Sequence, residues 1–261
     1  KFRCDNRKFT LDKTNKCINP ALRGIQGIGM KDGEELYSLR NNKYPTFIKL
    51  YDDIVKNTKV NKGKIEKLIK LDYFSEFGKA SKLLKIAEIY DSLYERKQIK
   101  HSDVFNLGLT FDLLDKYSNK KTAKLYKEID MVGLINEITK DIPDKDIPLK
   151  EKVTAEIEYL GYPKTTIPTL ETDLRYVVKI DSYENKKSWT HYPTLYDLRT
   201  GSLEKMKVSN FRYFCENKFN EKDILHVVET EQKPRKRKNE NDEWEIIPNE
   251  FRTDIVQWEV F

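Results

Sequence analysis

The sequence predicts an α+β chain, helical through its first half and rich in β-strands over its last third. Two observations carry this expectation. From Leu22 to about Lys140 the apolar residues recur at i, i+3 and i+4, the spacing that gathers them on one face of a helix. After Pro168 that spacing gives way to short runs of β-branched and aromatic residues, which suit a pleated, half-buried surface. Between the two textures lie Pro143 and Pro148, which remove backbone donors and stop any helix from running through.

Taken in order, residues 1–20 are polar with isolated Phe2, Phe9, Leu11 and Ile18, a short strand or an extended N-terminal arm. Residues 21–78 form a first helical unit, with Ile65, Leu68 and Ile69 on one face before a turn at Asp72-Tyr73-Phe74. Residues 79–140 read as a helical connector. A helix over 79–97 buries Leu83, Leu84, Ile86, Ala87, Ile89, Tyr90 and Leu93, and two further helices are expected near 105–117 and 120–140. Residues 141–169 are a proline-containing linker and a helix, 149–160, stopped by Gly161 and Pro163. Residues 170–261 hold strand candidates at 176–180, 192–198, 203–208, 224–228 and 255–260, enough for a small barrel or sandwich. The run Arg235-Lys236-Arg237-Lys238 reads as a basic loop between the last of these, open to phosphate contact or to a plain solubilising role.

Composition narrows the function classes. Of 261 residues, 38% are hydrophobic, enough for cores, and 35% are charged, well above the usual quarter. Lys and Arg exceed Asp and Glu by 49 to 43, a net charge of +6 that suits a polyanion partner without requiring one. Cys4, Cys17 and Cys215 lack paired spacing, and His101, His191 and His226 lie far apart, so no metal is expected. The scattered cysteines imply a reducing, cytoplasmic compartment. No apolar run reaches the length of a membrane span, and the N-terminus has no signal-peptide pattern. An opening at Lys1 rather than Met is expected either of a piece of a longer chain or of a chain trimmed to its ordered part. No nucleotide-binding lysine loop, Gly-x-Ser-x-Gly elbow or His-Glu-x-x-His occurs, and Asp144-Lys145-Asp146 sits in the proline-flanked linker, where a solvated loop is its ordinary role. No catalytic residue is expected.

Leu22-Arg23-Gly24-Ile25-Gln26-Gly27-Ile28-Gly29 is the most informative stretch. Glycines around an apolar residue let the backbone turn tightly between helices while the isoleucine is pinned inward. Such a turn presents main-chain N–H groups at the start of the next helix, which suits a phosphate oxygen, with Arg23, Lys31 and Arg40 near enough in sequence to add charge. A plain helix–helix turn is the alternative. Lys62, Lys64 and Lys67 either track a backbone or form a solvated face.

This stretch, followed by a helix ending in Leu39-Arg40, resembles the IKGIG segment of the α subunits of C-family, bacterial-type replicative DNA polymerases (DNA polymerase III). Tyr44-Pro45-Thr46-Phe47-Ile48-Lys49-Leu50 stands where that family has its Pro-Phe-x-Ser-Leu segment. Val60-Asn61-Lys62 and Leu68-Ile69-Lys70-Leu71-Asp72-Tyr73-Phe74-Ser75 stand where it has VNK and LIKAGAFD, with Asp72 replacing a turn glycine. Glu156-Ile157-Glu158-Tyr159-Leu160-Gly161-Tyr162 is similar to the family helix that leads into its barrel.

The resemblance implies a helix-hairpin-helix region followed by a small five-stranded OB-type β-barrel. It implies duplex-backbone contacts at Arg23, Gly27, Ile28, Gly29, Lys31 and Lys62. Single-stranded template would be met by Tyr183, Trp189, Tyr192, Arg235, Lys236, Arg237 and Lys238. It also implies a clamp-binding peptide at His101-Ser102-Asp103-Val104-Phe105, with His101 in place of Gln; the alternative there is a helix cap at Ser102 or Asp103. Implied partners are DNA, a sliding clamp and other replisome proteins, at the cytoplasmic nucleoid. The catalytic carboxylates and their Mg²⁺ ions map outside this chain, which is expected to be inactive alone. Two other readings stay open: a replisome protein-interaction module, and the hairpin/OB fragment of another DNA-processing enzyme such as a ligase.

Overall fold

Ring packing organises the first part of the chain. In this computed structural model, which describes residues 1–12, 17–94, 96, 98–167, 175–184 and 191–261, only the backbone is described at 12, 17–19 and 179–184. Phe2 is almost fully buried, with its ring about 6 Å from those of Tyr44, Tyr73, Phe74 and Phe77. Its N–H donates to the Tyr73 carbonyl at 2.9 Å, which stitches the start of the chain to the helices. The chain divides into two compact units, Lys1–Ile147 and Pro148–Phe261.

In the first unit, strands β1 (Thr10–Asp12) and β2 (Cys17–Asn19) pair antiparallel, and a 3-10 turn, Leu22–Gly24, leads to α1 (Met30–Ser38). Then come α2 (Phe47–Asn57), α3 (Lys62–Lys70) and α4 (Ala80–Leu93). The α2 face Phe47, Ile48, Leu50, Tyr51 and Ile54 is buried, and α4 packs against α2 and α3. Polar ends of these rings are satisfied by exchange. Tyr51 donates to Asp91 at 3.2 Å and Tyr90 donates to Asp52 at 2.8 Å, so α2 and α4 each lend a phenol to the other's carboxylate. Burial, with the facing carboxylates, pushes both phenols above their ordinary pKa.

The connector departs from expectation. Residues 120–140 do not form one helix: β3 (Gln98–Lys100), α5 (Phe111–Tyr117), β4 (Ser118–Lys121), β5 (Leu125–Ile129) and α6 (Met131–Thr139) follow, with strand order β3-β5-β4. Tyr126 on β5 is fully buried, opposite Ile99 and 4.9 Å from the His101 ring, and that single anchor favours alternation over helical spacing. Asp130 then starts α6, accepting the Gly133 N–H at 2.9 Å. Nor is 105–117 one helix. Phe105–Leu107 is a 3-10 turn, and Gly108, at φ 68°, interrupts the chain before α5.

In the second unit α7 (Leu149–Leu160) precedes β6 (Arg175–Glu184), β7 (His191–Asp197), β8 (Leu203–Lys205), β9 (Lys207–Val208), α8 (Phe211–Glu216), β10 (Ile224–Lys238) and β11 (Trp244–Val260). Val153 of α7 packs on Val177, Tyr196, Leu198 and Ile224. Buried Glu156 accepts the N–H groups of Lys164 and Thr165 at 2.7 and 2.8 Å, fixing the chain beyond the helix. The sheet runs β6-β10-β11-β9-β7-β8, and β6 also pairs with β7, which returns the pairings to their first strand. All contacts are antiparallel except β11 with β9. The core centres on fully buried Trp258, whose indole N–H donates to the Asn217 carbonyl at 2.9 Å. The fold is therefore mixed α+β. Arg235–Lys238, expected in a loop, lies on β10: Lys236, Arg237 and Lys238 pair with Ile246, Glu245 and Trp244 of β11. Apolar partners across the hairpin keep the basic run extended.

Candidate nucleic-acid interface

In the first unit the glycine hairpin has its polar and glycine positions outward and its apolar pins inward. Leu22, Ile25 and Ile28 are buried, while Arg23, Gln26, Gly27, Gly29 and Lys31 are exposed. Gly27 adopts φ 84°, a region costly for a side chain, and a Cβ there would come within 3.0 Å of the Lys67 ammonium. The Ile28 N–H donates to the Ile25 carbonyl at 3.0 Å, so Ile28 holds the turn closed and presents no free donor. Gly29 starts α1, and its N–H donates to the Asp32 carboxylate at 2.6 Å. The next first-turn N–H groups, at Met30 and Lys31, have no acceptor within the helix, as at any helix start.

Asp32 would repel an anion from this helix end were it not neutralised. Lys64 of α3 holds both of its buried oxygens, at 2.7 and 2.8 Å. Lys67 donates to the Gln26 carbonyl at 3.2 Å, and Lys62, half-exposed, sits 3.3 Å from Asp91. Lys62, Lys64 and Lys67 of α3 thus brace the hairpin unit. Arg23 and Lys31 are the exposed cations beside the turn, and neither makes an ion pair among the described residues. At the end of α3, Asp72 takes φ 60°, the left-handed conformation a turn glycine would serve.

In the second unit a groove of about 540 Å³ is lined by Tyr192 of β7, Lys205 of β8, Lys207 of β9, Arg235 and Lys236 of β10, and Ile247, Glu250, Arg252 and Thr253 of β11. Register explains the gathering. Thr194 pairs with Lys205 and Asp254 with Lys207, so side chains from β7, β8, β9 and β11 converge while Met206, Val208 and Ile255 turn into the core. Arg252 is held by fully buried Asp254 at 2.9 Å, and Arg235 lies 4.0 Å from Glu250. Lys205, Lys207 and Lys236 make no ion pair among the described residues. Five cations, one carboxylate and one aromatic ring make a surface suited to a polyanion carrying flat bases.

The groove unites three of the residues expected to meet single strands, Tyr192, Arg235 and Lys236; Arg237 and Lys238 are exposed farther along β10. Tyr183 pairs through its backbone with Tyr192, its side chain undescribed, and Trp189 lies outside the described residues. Lys205, Lys207 and Arg252 were not anticipated. The alternation Lys205-Met206-Lys207 was the available signal, but only strand pairing shows which groove its cations enter. Of the clamp-like segment, Val104 is fully buried, Phe105 is 69% exposed, and His101 stands in a 3-10 turn against Tyr126.

Among the described residues no helix is long and apolar enough to cross a membrane, and no three His, Cys, Asp or Glu are grouped to hold a metal ion. Residues 4–84 match the family of the helix-hairpin-helix motif, a DNA-binding motif, and the match spans β1 through the first turn of α4. A search of curated proteins finds no match to the chain.

Proposed function

We propose that this chain is a non-catalytic DNA-binding region of a C-family replicative polymerase α subunit, gripping duplex backbone through the hairpin and single-stranded template through the second unit. The observation that carries the reading is the glycine turn, with Gly27 and Gly29 exposed and Ile28 buried, braced from α3 inside the span that matches the helix-hairpin-helix family. Main-chain donors meet phosphate without reading bases, as a replicative enzyme requires. The returning pairings from β6 to β10, β11, β9 and β7, with α8 between β9 and β10, support an OB-type reading of the second unit. The basic groove with Tyr192 supports single-strand binding there. On this reading polymerisation and its Mg²⁺ ions belong to other parts of the parent enzyme, and the chain works at the cytoplasmic nucleoid.

Fluorescence anisotropy with labelled primer-template, duplex and single-stranded oligonucleotides at two salt concentrations tests the proposal. Salt-sensitive, sequence-independent binding, strongest for primer-template, is expected. No binding at low salt would overturn it.

A second reading, docking on a sliding clamp, draws on exposed Phe105, whose ring meets that of Phe111 edge-on at 5.4 Å. Against it, Val104, the aliphatic half of the same motif, is already in the core. Failure of the unaltered chain to pull down a clamp would remove this reading, and pulldown that survives Phe105→Ala would remove Phe105 from it.

A further inference from the structure

The β10–β11 hairpin continues well past the strands that flank it. Residues 228–232 and 235–238 of β10 and 244–246 and 248–251 of β11 are exposed. An exposed ribbon is usually blunted with charge, because bare apolar side chains on unpaired strands invite aggregation. This ribbon instead carries Trp244 at 65% and Ile246 at 58% exposure, and Lys238 lies 5.8 Å from the centre of the Trp244 ring. Lys236 and Lys238 face Ile246 and Trp244 across the pair, so alternation puts two cations and two apolar groups on one face of the ribbon. Lys236 also lines the basic groove, which makes the ribbon face continuous with it.

A flat, exposed indole flanked by ammonium groups is the combination that takes up a nucleobase and its neighbouring phosphates. An acidic peptide would use the cations but leave the ring uncovered. Resting on the single-strand reading of the groove, we propose that the ribbon extends that site: one base stacks on Trp244 while Lys236 and Lys238 meet phosphates beside it. The second unit then holds a longer strand than its groove alone, with a stacking position remote from Tyr192 in sequence.

The test compares oligothymidylates of about 5 and about 15 nucleotides, the range of sites on such modules, bound to the whole chain and to its Trp244→Ala and Trp244→Phe variants. Trp244→Ala is expected to weaken the longer oligonucleotide about tenfold and leave the shorter unchanged, with Trp244→Phe retaining most of the affinity. Circular dichroism of the variants checks the fold, which an exposed ring should not disturb. Equal affinity of wild type and Trp244→Ala for the longer strand would overturn the ribbon proposal while leaving the groove standing. Failure of the wild-type chain to bind either length would instead overturn the single-strand reading beneath it.

Discussion

The hairpin of the first unit and the groove of the second are both suited to phosphate, by opposite means. In the hairpin the donors are the main-chain N–H groups of Met30 and Lys31 at the start of α1, placed by the turn at Gly27, φ 84°, and by the buried Ile25 and Ile28. Its charged neighbours, Lys64 and Lys67, are engaged in bracing the turn. In the groove the donors are side chains, Lys205, Lys207, Arg235, Lys236 and Arg252, delivered by four strands, β8 to β11. A main-chain site is compact and fails when backbone geometry fails. A side-chain site depends on charge and on the register that gathers it.

Charge reversal should separate the two most sharply. Lys207→Glu with Lys236→Glu is expected to weaken single-strand binding about 100-fold at low salt, and to reduce the slope of log affinity against log salt by about 1.4 for two phosphate contacts. Duplex binding by the hairpin should be unchanged in the same anisotropy series. An equal loss on duplex would show that the two regions do not divide the substrates as proposed.

The sheet that builds the groove can be weakened from beneath. Asp197, at the end of β7, is fully buried and accepts the Arg199 side chain at 2.8 Å and its N–H at 2.7 Å. Burial alone would raise its pKa, but the hydrogen bonds from Arg199 prevail and lower it. A lowered folded-state pKa means stability that is present above the unfolded carboxyl value, about 3.9, and is lost as pH falls through the folded value. Asp197→Asn is therefore expected to cost about 2 kcal/mol near neutral pH, and the gap from wild type should close in acid. Thermal melts across pH check this.

The hairpin is sensitive to backbone geometry instead. Gly27→Ala forces a side chain into the left-handed region and should cost about 1–2 kcal/mol, read by urea denaturation. Duplex affinity should fall with it while the groove keeps its single strand. The smallest effect is expected at Asp72, which holds φ 60° where glycine would rest without strain. Asp72→Gly should raise stability by about 0.5–1 kcal/mol and leave both affinities in place.

Local sequence determined much of this protein. The glycine turn, the amphipathic stripes of α3, α4 and α7 and the change to β texture beyond Pro168 are short-range features, because period and turn chemistry act over a few residues. The match over residues 4–84 falls where the glycine turn and its following blocks were legible. What lay beyond short range did not show. Residues 120–140 carry a helix-like spacing, yet Tyr126 is buried opposite Ile99, a partner some twenty-seven positions earlier, and strands result. Arg235–Lys238 reads as a basic loop until Ile246 and Trp244 pair with it. Lys205, Lys207 and Arg252 belong to one groove only because β8, β9 and β11 are brought together through β7–β8, β7–β9 and β9–β11 pairing. Pairing register is set by the core that Trp258, Leu195 and Ile255 fill, and a slip of one residue would turn those cations to the other face.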